Sequence, residues 1–387
     1  MSEPTHIYYN LELVNNETTG NNIPRHFSMI ETRNSPYLQT PEDYYMSVVR
    51  FQLQSPSLPV FIPAILLGQI DVNKTAYSIT MEILRGGVLY AQQEHIIYVP
   101  YDATQKIPEP PLQTQDLTSN YYYIYSYQQW IRMVNTAFST CLTGLTQQVL
   151  AQGQTMPTAN PPFMEFNLDT QIANINADEN GYNTINASVA PFNDIRIYFN
   201  TAMATLYNNF PLQKRGYGLS ATSIPPLSLG RNFQLEVLNI YNSNILNLPT
   251  YNALQVYQEG TTTGLLNPIQ SLVFTTGMFP IYNENVSVPE IFNSNTEFNK
   301  NNNNNLISPI ITDFVIPWSA TNQYRQTIEY APSGEYRLVD MFGRKPLDSI
   351  QIQVYWKDIY GGLHPFEVNS GCSGAIKLMF RKKTFNQ

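Results

Sequence analysis

The sequence predicts a mainly β chain, an antiparallel sandwich built from both ends and interrupted by an inserted α+β module. Three observations carry this. Ile350, Ile352, Val354 and Trp356 alternate with Gln351, Gln353, Tyr355 and Lys357, the period of two by which a strand buries one face and wets the other. Short β-branched and aromatic runs near the N-terminus are bounded by Pro, Asn and Gly, which cut a chain into strands and turns. In the middle, apolar residues recur at helical spacing.

Taken in order, residues 46–53 (MSVVRFQL) and 77–84 (YSITMEIL) read as strands. Arg85-Gly86-Gly87 supplies a turn, and 94–99 (EHIIYV) returns as a strand that Pro100 stops. Tyr127, Trp130, Ile131, Val134, Phe138, Cys141, Leu142 and Leu145 form one face of an amphipathic helix. Ser126 and Gln129 have the spacing of a capping box, and Tyr125 is placed to staple onto Trp130. A hairpin is expected over 163–168 and 172–177, turning at Asp169-Thr170-Gln171. Residues 195–199 (IRIYF) predict a strand. A short helix follows, with Met203, Leu206, Tyr207 and Phe210 on one face, and Pro211 ends it. After 350–357 the chain turns over Asp358–Gly362 and returns over Leu363–Val368. Ile376, Leu378 and Phe380 then alternate with Lys377, Met379 and Arg381.

The expected organisation is a sandwich whose first part is 1–100 and whose second part is 266–387, with the insertion at 101–265. Pro108–Pro111 and Gly260–Gly264 are the linker candidates, and the low-complexity run Asn299–Asn305 reads as an exposed loop.

Hydrophobic residues make up 43% of the 387, enough for substantial cores, while charged residues make up only 13%, about half the usual share. Asn, Gln, Thr and Tyr take the polar positions, with 27 tyrosines. Neutral polar surface suits close contacts with neighbours, because pairing it costs little desolvation. Coding bias toward AT-rich codons enriches Asn, Ile, Lys and Tyr as well. The net charge of −8 excludes a general polyanion binder. Met1–His6 has no signal-peptide core, and Leu58–Leu67 is interrupted by Pro59 and Pro63. The expectation is a protein with no transmembrane segment, made and used inside a cell.

Convergent ionisable groups are sparse. His6, His26, His95 and His364 stand far apart, and no two have metal-ligand spacing. Cys372 with His364 is the one thiol–base candidate, set in a Gly/Ser-rich bend, while Cys141 falls on the apolar helix face. Asp340, Asp348 and Asp358 sit near turns, where Asp bonds backbone. No phosphate-binding glycine motif is present. The expectation is no enzyme, no catalytic, metal or cofactor-binding residues, and no cofactor. Lys377, Arg381, Lys382 and Lys383 form a basic C-terminal cluster, suited to packaged DNA, to an acidic neighbour, or to plain solvation. Asn16, Asn73, Asn186 and Asn285 begin sequons that the abundance of Asn explains.

Glu335-Tyr336-Arg337-Leu338-Val339-Asp340, Gly343, Pro346-Leu347, Tyr355-Trp356-Lys357-Asp358, Tyr360-Gly361, His364-Pro365-Phe366, Gly371-Cys372 and Lys377–Lys383 together resemble the penton, or minor capsid, proteins of Sputnik-type virophages. This block covers about the last fifty residues. The resemblance implies a single jelly roll, upright at an icosahedral five-fold vertex, with an inserted upper domain projecting outward. It further implies a homopentamer surrounded by trimers of the major capsid protein, in a virion assembled in the host cytoplasm. No catalytic residue carries over. Two other readings compete: a receptor- or glycan-binding spike module, and a hydrolase in which His364, Cys372 and a carboxylate converge.

Overall fold

Residues Ser349–Asp358 form a ten-residue strand in which every second side chain is buried and the others are half-exposed, as their alternation requires. The computed structural model describes residues 5–17, 24–112, 115, 117, 119–182, 194–215, 223–224, 230–237, 244–284, 291–293, 296–299, 309–316, 327–331 and 337–383. It has two compact units, one comprising Met1–Leu58 with Pro268–Gln387 and the other Pro59–Asn267.

The first unit carries eight principal strands: β1 (His6–Val14), β2 (Ser28–Thr32), β3 (Tyr44–Gln54), β4 (Ile269–Thr275), β5 (Ile310–Phe314), β6 (Thr327–Tyr330), β7 (Ser349–Asp358) and β8 (Ser373–Lys382). One sheet runs β1-β8-β3-β6 and the other β2-β7-β4-β5. All these pairings are antiparallel. That double Greek-key order is a jelly roll. The core lies between the sheets: Phe51 of β3 sits 5.1 Å from Phe274 and 4.9 Å from Phe314, ring centre to ring centre, both from the opposing sheet. Gly374 of β8 has a packing reason. A Cβ there would stand 2.4 Å from the fully buried Phe27 ring and 2.9 Å from Leu53.

The second unit interrupts the chain between β3 and β4, and here the structure corrects the expected division. The strands foreseen at 77–84 and 94–99 lie in the inserted unit, which begins at Pro59 and not near 100. The reason is their pairing: Lys74–Arg85 bonds on one side to Val88–Ile97 and on the other to Arg196–Phe199, a strand from the middle of the insert. Gly86 and Gly87, at φ +56° and +77°, make the tight turn. Nor do the proposed linkers join the units. Pro108–Pro111 and Gly260–Gly264 both lie inside the second, and the chain crosses at Leu58-Pro59 and Asn267-Pro268. Of Asn299–Asn305, only Asn299 falls within the described residues, at the end of a short strand.

Helix α1 (Tyr127–Ala151) begins after Ser126 as expected. The capping box does not close, because the Ser126 side chain makes no cap bond and the Gln129 amide donates to the Val99 carbonyl at 3.1 Å. Trp130 packs edge-on to Phe61 (4.9 Å) and Tyr77 (5.5 Å), and its Nε1 donates to the Tyr207 hydroxyl. The expected hairpin forms from Phe163–Asn167 and Ile172–Asp178. Asn200 caps the short helix Thr201–Leu206 through the Met203 N–H at 2.9 Å.

Phe51→Ala removes the ring that touches both sheets, and it is expected to cost about 3–5 kcal/mol of unfolding free energy. Gly374→Ala should also destabilise by overpacking against Phe27, by about 1–3 kcal/mol. Urea denaturation of the purified chain checks both, and an unchanged midpoint in F51A would show that the inter-sheet aromatic contact is dispensable.

Candidate assembly surface

The jelly roll's period of two decides which side chains face outward. Across the sheet β1-β8-β3, the register aligns His6, Arg381 and Tyr45; then Tyr8, Met379 and Ser47; then Asn10, Lys377 and Arg50; then Glu12, Ala375 and Gln52. On the other sheet the outward positions of β7 are Ser349, Gln351, Gln353, Tyr355 and Lys357, all half-exposed. Ser28, Ile30 and Thr32 stand opposite Gln353, Gln351 and Ser349. Hydroxyls, amides and a phenol dominate the outer face of the second sheet, whereas the first mixes Tyr8, Asn10, Tyr45 and Gln52 with the charged Glu12, Arg50, Lys377 and Arg381, and Ser47 and Met379 are buried there.

The basic C-terminal cluster divides. Lys383 is consumed internally: its Nζ meets Asp340 at 2.7 Å and donates to the carbonyls of Glu42 (2.7 Å) and Met341 (3.2 Å), over the Tyr45 ring. Lys377 lies outward, 5.4 Å from the Tyr8 ring centre. Arg50 joins it directly across the sheet, a neighbour that sequence spacing did not indicate. Only the β3–β8 register, with its irregularity at Lys377/Leu378, brings those residues together.

The histidines do not converge. His26 Nε2 donates to the Val354 carbonyl at 2.9 Å, against the Tyr355 ring. His95 lies in the second unit, with Nδ1 2.9 Å from the Thr75 carbonyl oxygen. His364 Nε2 meets Asp358 Oδ2 at 2.8 Å, both nearly fully buried, and its ring stacks on Trp356 at 4.1 Å. Asp358 Oδ1 also accepts the N–H groups of Tyr360 and Gly362, each at 2.8 Å. This pair therefore braces the turn after β7. Cys372 lies in another turn, its N–H bonded to the Asn369 carbonyl and its carbonyl accepting from the Asn15 N–H. Asp348 accepts from Ser349 Oγ at 3.1 Å. Of the sequons, Asn73 accepts the Tyr121 hydroxyl at 3.0 Å, and Asn186 and Asn285 lie outside the described residues. Among the described residues no group of three or more His, Cys, Asp or Glu is placed to hold a metal ion.

In the second unit, several ionisable groups pair with one another. Glu82 is buried, accepts the Tyr198 hydroxyl at 2.5 Å and pairs with Arg231, while Arg196 Nε reaches Asp194 at 3.0 Å. A different feature escaped the sequence reading. Leu67, Ile70, Val99, Tyr101, Ile107 and Leu112 are exposed, Ile70 by 94%. The Gly68 N–H bonds the Pro111 carbonyl at 2.8 Å, tying two of these loops together. Among the described residues, no helix is long and apolar enough to cross a membrane.

An eight-stranded jelly roll with a second unit inserted between β3 and β4 has the build of a virus coat protein. The comparisons agree. The chain belongs to the Sputnik minor capsid protein V18/19 family, whose profile matches residues 7–382. It is 27% identical to structural protein V19 of Sputnik virophage over 198 residues, which is 50% of this chain and 84% of that protein. To protein V18 of the same virophage it is 28% identical over 152 residues, 38% of this chain and 88% of that one. Over 98% of its length it superposes on 99% of a chain from the cryo-EM structure of the Sputnik virophage, with a TM-score of 0.76 and 25% identity. The mavirus penton protein crystal structure shares the fold, with a TM-score of 0.61 and 16% identity over 98% of this chain and all of that one. This chain is thus a virophage minor capsid protein, a component of the virion coat, with the fold of a penton protein.

Burial raises both thiols above their ordinary value, Cys141 far more than Cys372. Alkylation by iodoacetamide at neutral pH should therefore be slow at Cys372 and absent at Cys141 until the chain unfolds. Rapid labelling of Cys372 would revive a thiol nucleophile. Burial also lowers His26 and His95, outweighing their bonds to the Val354 and Thr75 carbonyls. Unfolded chains protonate these imidazoles near the ordinary value of 6.5, before the folded protein does. Their contribution to stability is complete above that pH and is lost as pH falls through the folded-state values. Melting temperature should drop between about pH 7.5 and about pH 5.5, and less steeply in a His26→Asn, His95→Asn variant. An equal slope in that variant would place the acid sensitivity elsewhere.

Proposed function

We propose that this chain assembles as a homopentamer at the five-fold vertices of an icosahedral virion, surrounded by trimers of the major capsid protein. The observation that carries this is the pairing of a single jelly roll with near-complete superposition on a chain of the Sputnik particle. The penton role of the mavirus protein supports the same reading. Assembly takes place in the host cytoplasm. A ring of five uses two unlike patches, one on each side of every copy. The two sheets supply such unlike faces, one carrying Arg50, Lys377 and Arg381 and the other neutral amides and hydroxyls on β7 and β2. Tyrosine-rich, charge-poor strands suit these contacts, since a phenol buries area and keeps a polar tip.

A second reading applies to the inserted unit, Pro59–Asn267, as a receptor-binding module of the virion. The exposed loops bearing Ile70, Tyr101, Ile107 and Leu112 favour it. An aromatic side chain 73% exposed, as Tyr101 is, also suits stacking on a sugar ring.

Native mass spectrometry of the purified chain is expected to show a five-chain species, either alone or once coat trimers are added. A strictly monomeric chain at high concentration, absent from purified particles, would remove the proposal. A glycan array probed with the pentamer tests the second reading, and no hits would restrict it to protein receptors.

A further inference from the structure

The nine residues of β1 form one edge of the sheet β1-β8-β3-β6. The other edge strands of this unit are shorter, five residues in β2 and β5 and four in β6. Folded chains blunt a long edge with proline, lysine, a bulge or a cover, because its unpaired backbone groups recruit another strand. The first three are missing from β1. HIYYNLELV holds neither proline nor lysine, and its register against β8 runs without a break from His6 to Val14. The Asn15 N–H bonds the Cys372 carbonyl and the Lys382 N–H bonds the Thr5 carbonyl, so the odd-numbered residues turn their backbone groups toward β8. Those of Tyr8, Asn10, Glu12 and Val14 face away from it, and among the described residues none of these groups has a backbone partner.

The core is open along the same side. Ile376, Leu378 and Phe380 of β8 are fully buried, whereas Ile7, Tyr9 and Leu13, which face that core from β1, stay half-exposed. Tyr9 does so even with the Tyr37 ring at 4.8 Å and the Arg33 guanidinium over it.

We infer that the β1 edge points away from the five-fold axis and takes an added strand from the surrounding coat protein, an extended segment with apolar side chains at alternate positions. This rests on the pentamer reading and names what the outer rim of the ring binds. With the sheet faces joining copies around the ring, the lateral edges of each sandwich point toward the axis and away from it. Strand pairing joins edges in twos, so five identical edges meeting at the axis leave one over. The edge on the far side of the sheet, β6, offers only four residues against nine. A strand from a neighbouring trimer meets neither limit. Its main chain takes up the groups offered from Tyr8 to Val14, and its inward side chains close the core over Ile7 and Leu13.

Residue-resolved hydrogen exchange of the pentamer, with and without purified trimers of the major capsid protein, is the test. The amides of Tyr8, Asn10, Glu12 and Val14 should exchange freely in the pentamer and slow roughly tenfold or more once trimers are added. Those of Ile7, Tyr9 and Leu11 should be slow throughout, held by β8. Asn10→Pro removes an outward N–H and no bond to β8, so it should fold and form pentamers yet bind trimers roughly tenfold more weakly. Asn10→Ala keeps that N–H and should bind as wild type. Four amides already slow in the pentamer would place the edge between copies and overturn the inference. Amides that stay fast with trimers bound, or pentamers that bind no trimers, would do the same. An equal loss of binding in N10A and N10P would mark a side-chain contact and also overturn it. Should N10P misfold, exchange in the wild-type chain still decides. Chains that never form pentamers would remove the underlying reading instead.

Discussion

The first unit depends on one contact between its two layers. Phe51 projects from β3 against Phe274 and Phe314 of the opposing sheet, and Tyr330 of β6 stacks on it at 5.5 Å. Two sheets packed about 10 Å apart hold together only if their inner side chains interdigitate. Aromatic rings fill that gap with the most buried area per residue. Once Phe51 points inward, the period of two sends Arg50 and Gln52 outward. The same logic along β8 buries Ile376, Leu378 and Phe380 and exposes Lys377 and Arg381. The outer surface is therefore a consequence of the core, and what the virion meets is set by what the sandwich had to hide.

The insertion follows from the same constraint. β1 pairs with β8 from His6–Arg381 to Val14–Ser373, so the two ends of the chain must come together whatever lies between. Closing a longer loop costs only slightly more entropy than closing a short one. A long excursion between β3 and β4 is tolerable provided it folds on a core of its own. It does: Trp130, Phe138, Tyr182 and Phe199 are fully buried within the second unit, and α1 covers the strands Lys74–Arg85 and Val88–Ile97. Cys141 of that helix contacts the Gln92 carbonyl at 3.1 Å, which shows how closely helix and sheet approach.

Local periodicity made β7, β8, α1 and the hairpin near 170 legible, because each writes its period into consecutive residues. Pairing is not local. Nothing within 77–99 announces that those strands bond to Arg196–Phe199, so the boundary of the insert was misplaced. β1 and β2 escaped notice for a different reason. As edge strands they bury little: Ile7, Tyr9, Leu11 and Leu13 of HIYYNLELV do alternate with His6, Tyr8, Asn10 and Glu12, but only Leu11 is fully buried, and SMIET is too short and mixed to show a period. The contact surface was half visible: its lysines stand out in an acidic chain, while the position of Arg50 opposite Lys377 depends on a register irregularity. Gly374 is silent in the sequence, since its reason is the Phe27 ring above it.

Coat assembly asks for many contacts, each weak enough to be corrected. Charged interfaces discriminate sharply but pay heavy desolvation, and large apolar ones would aggregate before they assembled. Neutral amides and phenols lie between these limits, and the outer rows of β7 and β2 are built from them. Such a surface alone cannot select one register, because every amide resembles its neighbour. Sparse charges on a neutral field supply what it lacks, giving orientation at little cost in desolvated area. This chain carries both elements, a low share of charged residues and two cations face to face on its outer sheet.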